Sequence, residues 1–117
     1  MTTLVDILLD TQKRKKEYFK NWKNYSRRIK EISKKILGEA RVLVFGSIVQ
    51  NKWGPSSDID VLIISQNLPS DFDERAKIRT KIKEKIGPFS PFQIHLATLE
   101  EFKGWYQNFI KKEYWEV

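Results

Sequence analysis

The sequence predicts an α/β (α+β) fold, a small mixed sheet of about three strands flanked by helices, and three observations carry that reading. Short apolar runs at residues 40 to 45, 58 to 64 and 92 to 97 have the length and composition of buried strands. Longer stretches with three-four apolar spacing lie before, between and after them. The connections set the directions. A ten-residue link, 48 to 57, suits an antiparallel pairing of the first two strands. The helix between the second and third strands supplies a right-handed crossover, which makes those two parallel. The resulting order is α-β-α-β-α-β-α.

The elements follow in turn. Residues 3 to 37 read as one long helix or two consecutive ones, with an apolar stripe at Leu4, Leu8, Tyr18, Trp22, Tyr25, Ile29, Ile32 and Ile36. Thr11 and Lys15 interrupt the stripe beside the run Lys13 to Lys16, which reads most simply as a solvated helical face. Thr2 or Thr3 can cap the start and Gly38 can end the helix. Tyr18, Phe19, Trp22 and Tyr25 have the spacing of packing residues rather than of a base-stacking platform. The first strand, 40 to 45, runs into Gly46 and Ser47. A helical turn is expected over 47 to 53, and the stretch Trp53 to Ser57 must turn the chain back into the second strand, 58 to 64. Asp71 to Glu74 open a helix that reaches Ile86, with acids in its first turn, Lys in its last and a narrow face of Ala76, Ile78, Ile82 and Ile86. Gly87 and Pro88 stop it. Phe92 to Ala97 form the third strand. Thr98 and Glu101 make a capping box for a last helix carrying Phe102, Trp105, Tyr106, Phe109 and Ile110, which frays towards Tyr114 and Trp115.

At 117 residues the chain has room for one core, so 1–117 is read as a single domain. No stretch approaches the roughly 18 apolar residues of a membrane span, and nothing reads as a secretory leader. The absence of cysteine excludes disulfides and thiolate metal sites. A cytoplasmic protein fits. The net charge of +7, from 22 basic against 15 acidic residues, suits phosphate-bearing partners such as nucleotides or RNA. It equally suits the Lys/Glu-rich surface of a heat-adapted protein. Aromatic-rich terminal helices, where they stay unburied, point to a protein partner or to self-association as a homo-oligomer.

The chemistry gathers where the first strand ends. Side chains alternate along a strand, so Asp58 and Asp60 share a face at the mouth of the second strand. Two adjacent carboxylates repel each other unless a cation or a proton neutralises them. Mg²⁺ is commonly held by one or two carboxylates plus substrate phosphates, and such a pair suits it. Gly46 lets a backbone come close, Ser47 offers a hydroxyl, and a following helical turn attracts anions. Ser57 can tether the carboxylates or touch phosphate, and Lys52 is the nearest cation.

Gly46-Ser47, the ten-residue gap and Asp58-x-Asp60, with a strand on either side, resemble the signature of the minimal nucleotidyltransferases of the DNA polymerase β superfamily. The resemblance spans residues 40 to 100. It implies a nucleotidyltransferase fold, Mg²⁺ on Asp58 and Asp60, and a nucleoside triphosphate, ATP foremost, on Gly46 and Ser47. It also implies the antitoxin role of stand-alone domains that adenylylate a small helical nuclease of the HEPN type. Members of the superfamily add a third carboxylate on a neighbouring strand. Here that strand carries Gln93 and His95 on one face. Gln93 offers a neutral and weaker metal ligand. His95, the one histidine of the chain, suits a base for an attacking hydroxyl or a hydrogen-bonded strand residue at the edge of the site. Three functions compete: a Mg²⁺-dependent transferase acting on a protein or RNA hydroxyl, a catalytically weakened nucleotide-binding module acting by complex formation, and a basic RNA-binding domain.

Overall fold

A computed structural model describes residues 2–110 and 113–117, apart from the side chains of Trp105 and Phe109, so the expected packing of those two lies outside the described residues. The long N-terminal stripe folds as two helices, α1 (Leu4–Lys20) and α2 (Trp22–Leu37). Thr3 and Asp6 cap α1 reciprocally, each side chain bonded to the other's backbone N–H at 3.1 Å. The helix runs straight through the polar interruption at Thr11 and Lys15 and breaks instead at Asn21. The Asn21 side chain donates to the Glu17 carbonyl (3.2 Å), an alternative to the helical ladder that asparagine offers readily. Gly38, at φ +86°, ends α2.

The buried seam of α2 is Ser26, Ile29, Ser33 and Leu37, while Tyr25, Ile32 and Ile36 are only half-buried. The centre of the stripe is therefore rotated from the apolar count. Ser26 and Ser33 donate back to the carbonyls of Trp22 and Ile29 at 2.6 Å, which satisfies both hydroxyls and keeps small side chains within the buried face.

Strands β1 (Arg41–Phe45), β2 (Ile59–Ile64), β3 (Phe92–Ala97) and β4 (Tyr114–Glu116) form one sheet in the order β3-β2-β1-β4. As expected, β1 and β2 are antiparallel and β2 and β3 parallel, the crossover between them being α3 (Phe72–Ile86). The sheet has four strands rather than about three. Where fraying is expected after the last helix, Tyr114–Glu116 pairs antiparallel with β1, held by the Arg41–Glu116 ion pair (2.9 Å) and by Lys30 Nζ donating to the Val117 carbonyl (2.8 Å). The helix expected over 47 to 53 is a bonded turn: the amides of Val49, Asn51 and Lys52 donate to the carbonyls of Gly46, Ile48 and Ser47.

Each face of the sheet buries one row set. Val42, Val44, Ile59, Val61, Ile63 and Phe92 pack against α1, α2 and α3. Leu43, Phe45, Leu62, Ile64 and Ala97 pack against the C-terminal helical segment, which comprises α4 (Leu99–Glu101), a π-helical stretch (Phe102–Tyr106) and α5 (Gln107–Ile110). That segment is too short to cover its whole face. No helix among the described residues is long and apolar enough to cross a membrane.

Candidate active site

At the end of the second face one row of side chains crosses the sheet, buried at Phe45 and open at Asp60 and Gln93. Tyr114 stands opposite Phe45, Phe45 opposite Asp60, and Asp60 opposite Gln93. Paired residues in neighbouring strands point to the same side, so this row crosses all four strands where β1 ends and β2 and β3 begin. The row behind it holds Leu43, Leu62 and His95. Parity within β3 puts Gln93 and His95 on one face, and register fixes which residues they meet.

Asp60 is the centre of the group. Its Oδ1 lies 3.3 Å from His95 Nε2, and both side chains are about one-third exposed. On its other side Asp60 meets Gly46, which has φ +90°. A Cβ at Gly46 would stand 2.7 Å from Asp60 Oδ2, so any other residue at 46 would strain the backbone and push the Asp60 carboxylate aside. His95 is framed by aromatic rings, with Phe45 at 5.7 Å and Tyr106 at 6.4 Å between centroids. Tyr106, on the π-helical stretch, lies over the histidine and roofs that side of the row.

Asp58 precedes β2 and is exposed. The cation nearest in effect is Lys83 of α3. Its ammonium donates to the carbonyls of Ser90 and Phe92, both at 2.5 Å. Burial holds Lys83 below the usual lysine range, and the charge of Asp58 partly offsets that. Lys83 thus ties the entry of β3 to α3 beside the carboxylate. Its side chain also lines an open groove with Arg79, Thr80, Phe92 and Gln93.

The remaining expected residues are placed as follows. Ser47 is half-buried at the start of the bonded turn, its carbonyl accepting from the Lys52 amide (2.9 Å). The Lys52 side chain is exposed and lines a different hollow, with Val49, Gln50, Glu113 and Tyr114. Ser57 braces its own loop, Oγ accepting from the Gly54 amide at 2.9 Å. Gly46, Asp60, Gln93 and His95 thus come together, Asp58 lies at the rim, and Ser57 and Lys52 belong to the connecting loop. Lys83, Tyr106 and Tyr114 are the members that sequence reasoning missed. A lysine one turn before a Gly-Pro stop reads as an ordinary helix-end cation, and a strand as short as β4 gives no alternation to count.

The donor set suits one hard divalent ion. Asp60 stands against Gly46, whose bare backbone lets phosphate oxygens approach, Asp58 lies two residues before it at the rim, and Mg²⁺ is commonly completed by substrate oxygens and water. Gln93, opposite Asp60 in β3, adds a neutral amide and no further negative charge to this set. Among the described residues no three His, Cys, Asp or Glu side chains gather as a metal cluster.

The family model of the nucleotidyltransferase domain matches residues 26–116, which include every residue of this site. A crystal structure of a candidate nucleotidyltransferase is 35% identical, covers 78% of this chain and 95% of its own, and superposes with a TM-score of 0.62. A candidate nucleotidyltransferase from Sulfolobus solfataricus, solved at 1.40 Å resolution, is 16% identical over 80% of this chain and 82% of its own, with a TM-score of 0.42. No curated protein matches. With the family model covering most of its length, the chain belongs to the nucleotidyltransferase domain family.

Proposed function

We propose that this chain is a single-domain, cytoplasmic nucleotidyltransferase that moves AMP from ATP onto a hydroxyl of a protein or RNA acceptor. The observation that carries the proposal is Asp60, held between the bare backbone of Gly46 and the imidazole of His95. In this reading Gly46 and Ser47 hold the triphosphate, while Asp58 and Asp60 hold Mg²⁺. The ion would neutralise charge on the phosphates and leaving pyrophosphate. His95 takes the proton as the acceptor oxygen bonds to the α-phosphorus, and the bond from that phosphorus to the bridging oxygen breaks to release pyrophosphate. Asp60, beside Nε2, orients the ring and stabilises its protonated form.

The acceptor we propose is a tyrosine on a helical partner of the HEPN type, which makes the chain an antitoxin. This rests on the resemblance of the Gly46 to Asp60 signature to minimal nucleotidyltransferases. Transfer of label from α-labelled ATP to a co-purified partner tests it, with His95→Gln expected to slow transfer by about 10² or more. Label on RNA rather than protein would replace the acceptor but keep the reaction.

One observation favours a second reading. Gln93 stands beside Asp60 where an anionic ligand would complete a two-ion site. A module that binds nucleotide and acts by complex formation would bind ATP through Asp58 and Asp60 yet transfer nothing.

A further inference from the structure

Five aliphatic side chains in the first two turns of α1 face solvent: Leu4, Val5, Ile7, Leu8 and Leu9 are 52% to 71% exposed. The molecule is long, 51 Å against 29 and 22 Å in its other directions. Further along α1, Gln12, Lys15, Lys16 and Phe19 line an open and mainly apolar groove of about 170 Å³ with Trp53 and Pro55. Trp53 stacks on Phe19 there at 4.7 Å, and Lys15 Nζ donates to the Pro55 carbonyl at 2.7 Å.

Ridge and groove lie on one stripe. At 3.6 residues per turn Leu4, Leu8 and Phe19 fall within about 60° of each other around the helix. They are offset along it by roughly ten residues, or about 15 Å. A surface carrying a ridge and a groove about one midpoint is complementary to itself under a two-fold axis, the commonest symmetry of protein pairs.

We infer that α1 is a homodimer interface: two copies pair antiparallel about Thr11 and Gln12, each seating Leu4 and Leu8 in the Phe19–Trp53 groove of the other. The charges favour that orientation. Residues 4 to 10 carry Asp6 and Asp10, whereas residues 13 to 20 carry Lys13, Arg14, Lys15, Lys16 and Lys20 against Glu17. Antiparallel copies set the acidic half of each helix beside the basic half of the other, and parallel copies would stack like on like. Each aliphatic side chain contributes on the order of 100 Å². Leu4 and Leu8 of the two copies then bury about 400 Å², and the two grooves that receive them bury a comparable area, which together approach the roughly 1,000 Å² of a specific interface.

The test is sedimentation of the whole chain at micromolar concentration without nucleotide, so its failure does not bear on the transfer reaction. The wild type sediments as a dimer, and Leu4→Ser/Leu8→Ser raises the dissociation constant at least about a hundredfold. The chain has no cysteine, so single cysteines report the register. Gln12→Cys, beside the axis, forms a disulfide with its copy on oxidation. Val5→Cys does not, its two copies standing roughly 20 Å apart along the helices. A dimer that survives Leu4→Ser/Leu8→Ser, or oxidation of Val5→Cys in preference to Gln12→Cys, overturns the interface. A monomeric wild type does so too, and leaves the face to a different protein or to a lipid surface.

Discussion

Replacing Gly46 by alanine separates the two demands that the site makes on that residue. At φ +90° an L-residue is strained by about 1–2 kcal/mol. The new Cβ would also lie 2.7 Å from Asp60 Oδ2, and ordinary contact begins near 3.4 Å, so the carboxylate must retreat by about 0.7 Å. It is the far end of a side chain and can retreat cheaply. The collision therefore adds little to the stability loss and falls instead on the position of Asp60 and its contact with His95. Gly38→Ala is the control. Its φ is nearly the same, +86°, but its Cβ meets only the Asn67 amide at an ordinary 3.5 Å, remote from the site. Both variants should lose about 1–2 kcal/mol, or some 3–10 °C in melting temperature for a chain of this length. Label transfer should fall about a hundredfold in Gly46→Ala alone, as expected for a reacting group misplaced by a fraction of an ångström or more. Thermal unfolding followed by circular dichroism and transfer from α-labelled ATP measure the two effects. Equal transfer by both variants refutes the reasoning, whether both are active or both are dead.

Three further outcomes are expected. Lys83→Met removes the ammonium donated to the Ser90 and Phe92 carbonyls and should destabilise the fold by about 2 kcal/mol, with Lys83→Arg recovering part of it in thermal melts; an unchanged melting temperature contradicts the clamp. Gln93→Glu places a third carboxylate beside Asp60 and should tighten Mg²⁺ binding and raise transfer at limiting Mg²⁺; weaker ion binding would show that the amide is not in the ligand position. The acid limb of stability comes from glutamates held below their ordinary value of 4.5: Glu116 by its hydrogen bond with Arg41, Glu101 by the Thr98 amide and then Arg75, and Glu39 by the Gln66 amide. A carboxyl with a depressed folded value stabilises fully above the unfolded value and loses that contribution as pH falls through the folded one. Melting temperature should therefore begin to drop below about pH 4.5, and Glu101→Gln/Glu116→Gln should make the drop shallower. An identical acid slope in the double variant would contradict the assignment.

What was legible in the sequence is what is written locally. The Asp71 cap, the Gly87 stop and the Thr98–Glu101 capping box fix their helix ends within a residue, because each end is signalled by the residues that satisfy it. The carboxylate pair and Gly46 are legible by spacing, and the shared face of Gln93 and His95 by parity. The contact of His95 with Asp60 needs the register of β3 against β2, which no local pattern carries. β4 is longer-range still: three residues pair with β1 across some seventy positions of chain, held by Arg41 and Lys30 from earlier elements. Counting apolar residues misplaced the seam of α2, because Ser26 and Ser33 lie in it. It also puts Leu4 and Leu8 in a packed stripe, although among the described residues they stay 71% and 55% exposed.

The measurement that bears most directly on the central claim is transfer of label from α-labelled ATP with Mg²⁺, comparing the wild type with Asp58→Ala/Asp60→Ala in the presence of whatever protein or RNA co-purifies with the chain. The account predicts label on the partner or on RNA, lost in the double variant while melting temperature is kept. Transfer that persists without both carboxylates would contradict it, as would a double variant that binds ATP as tightly as the wild type.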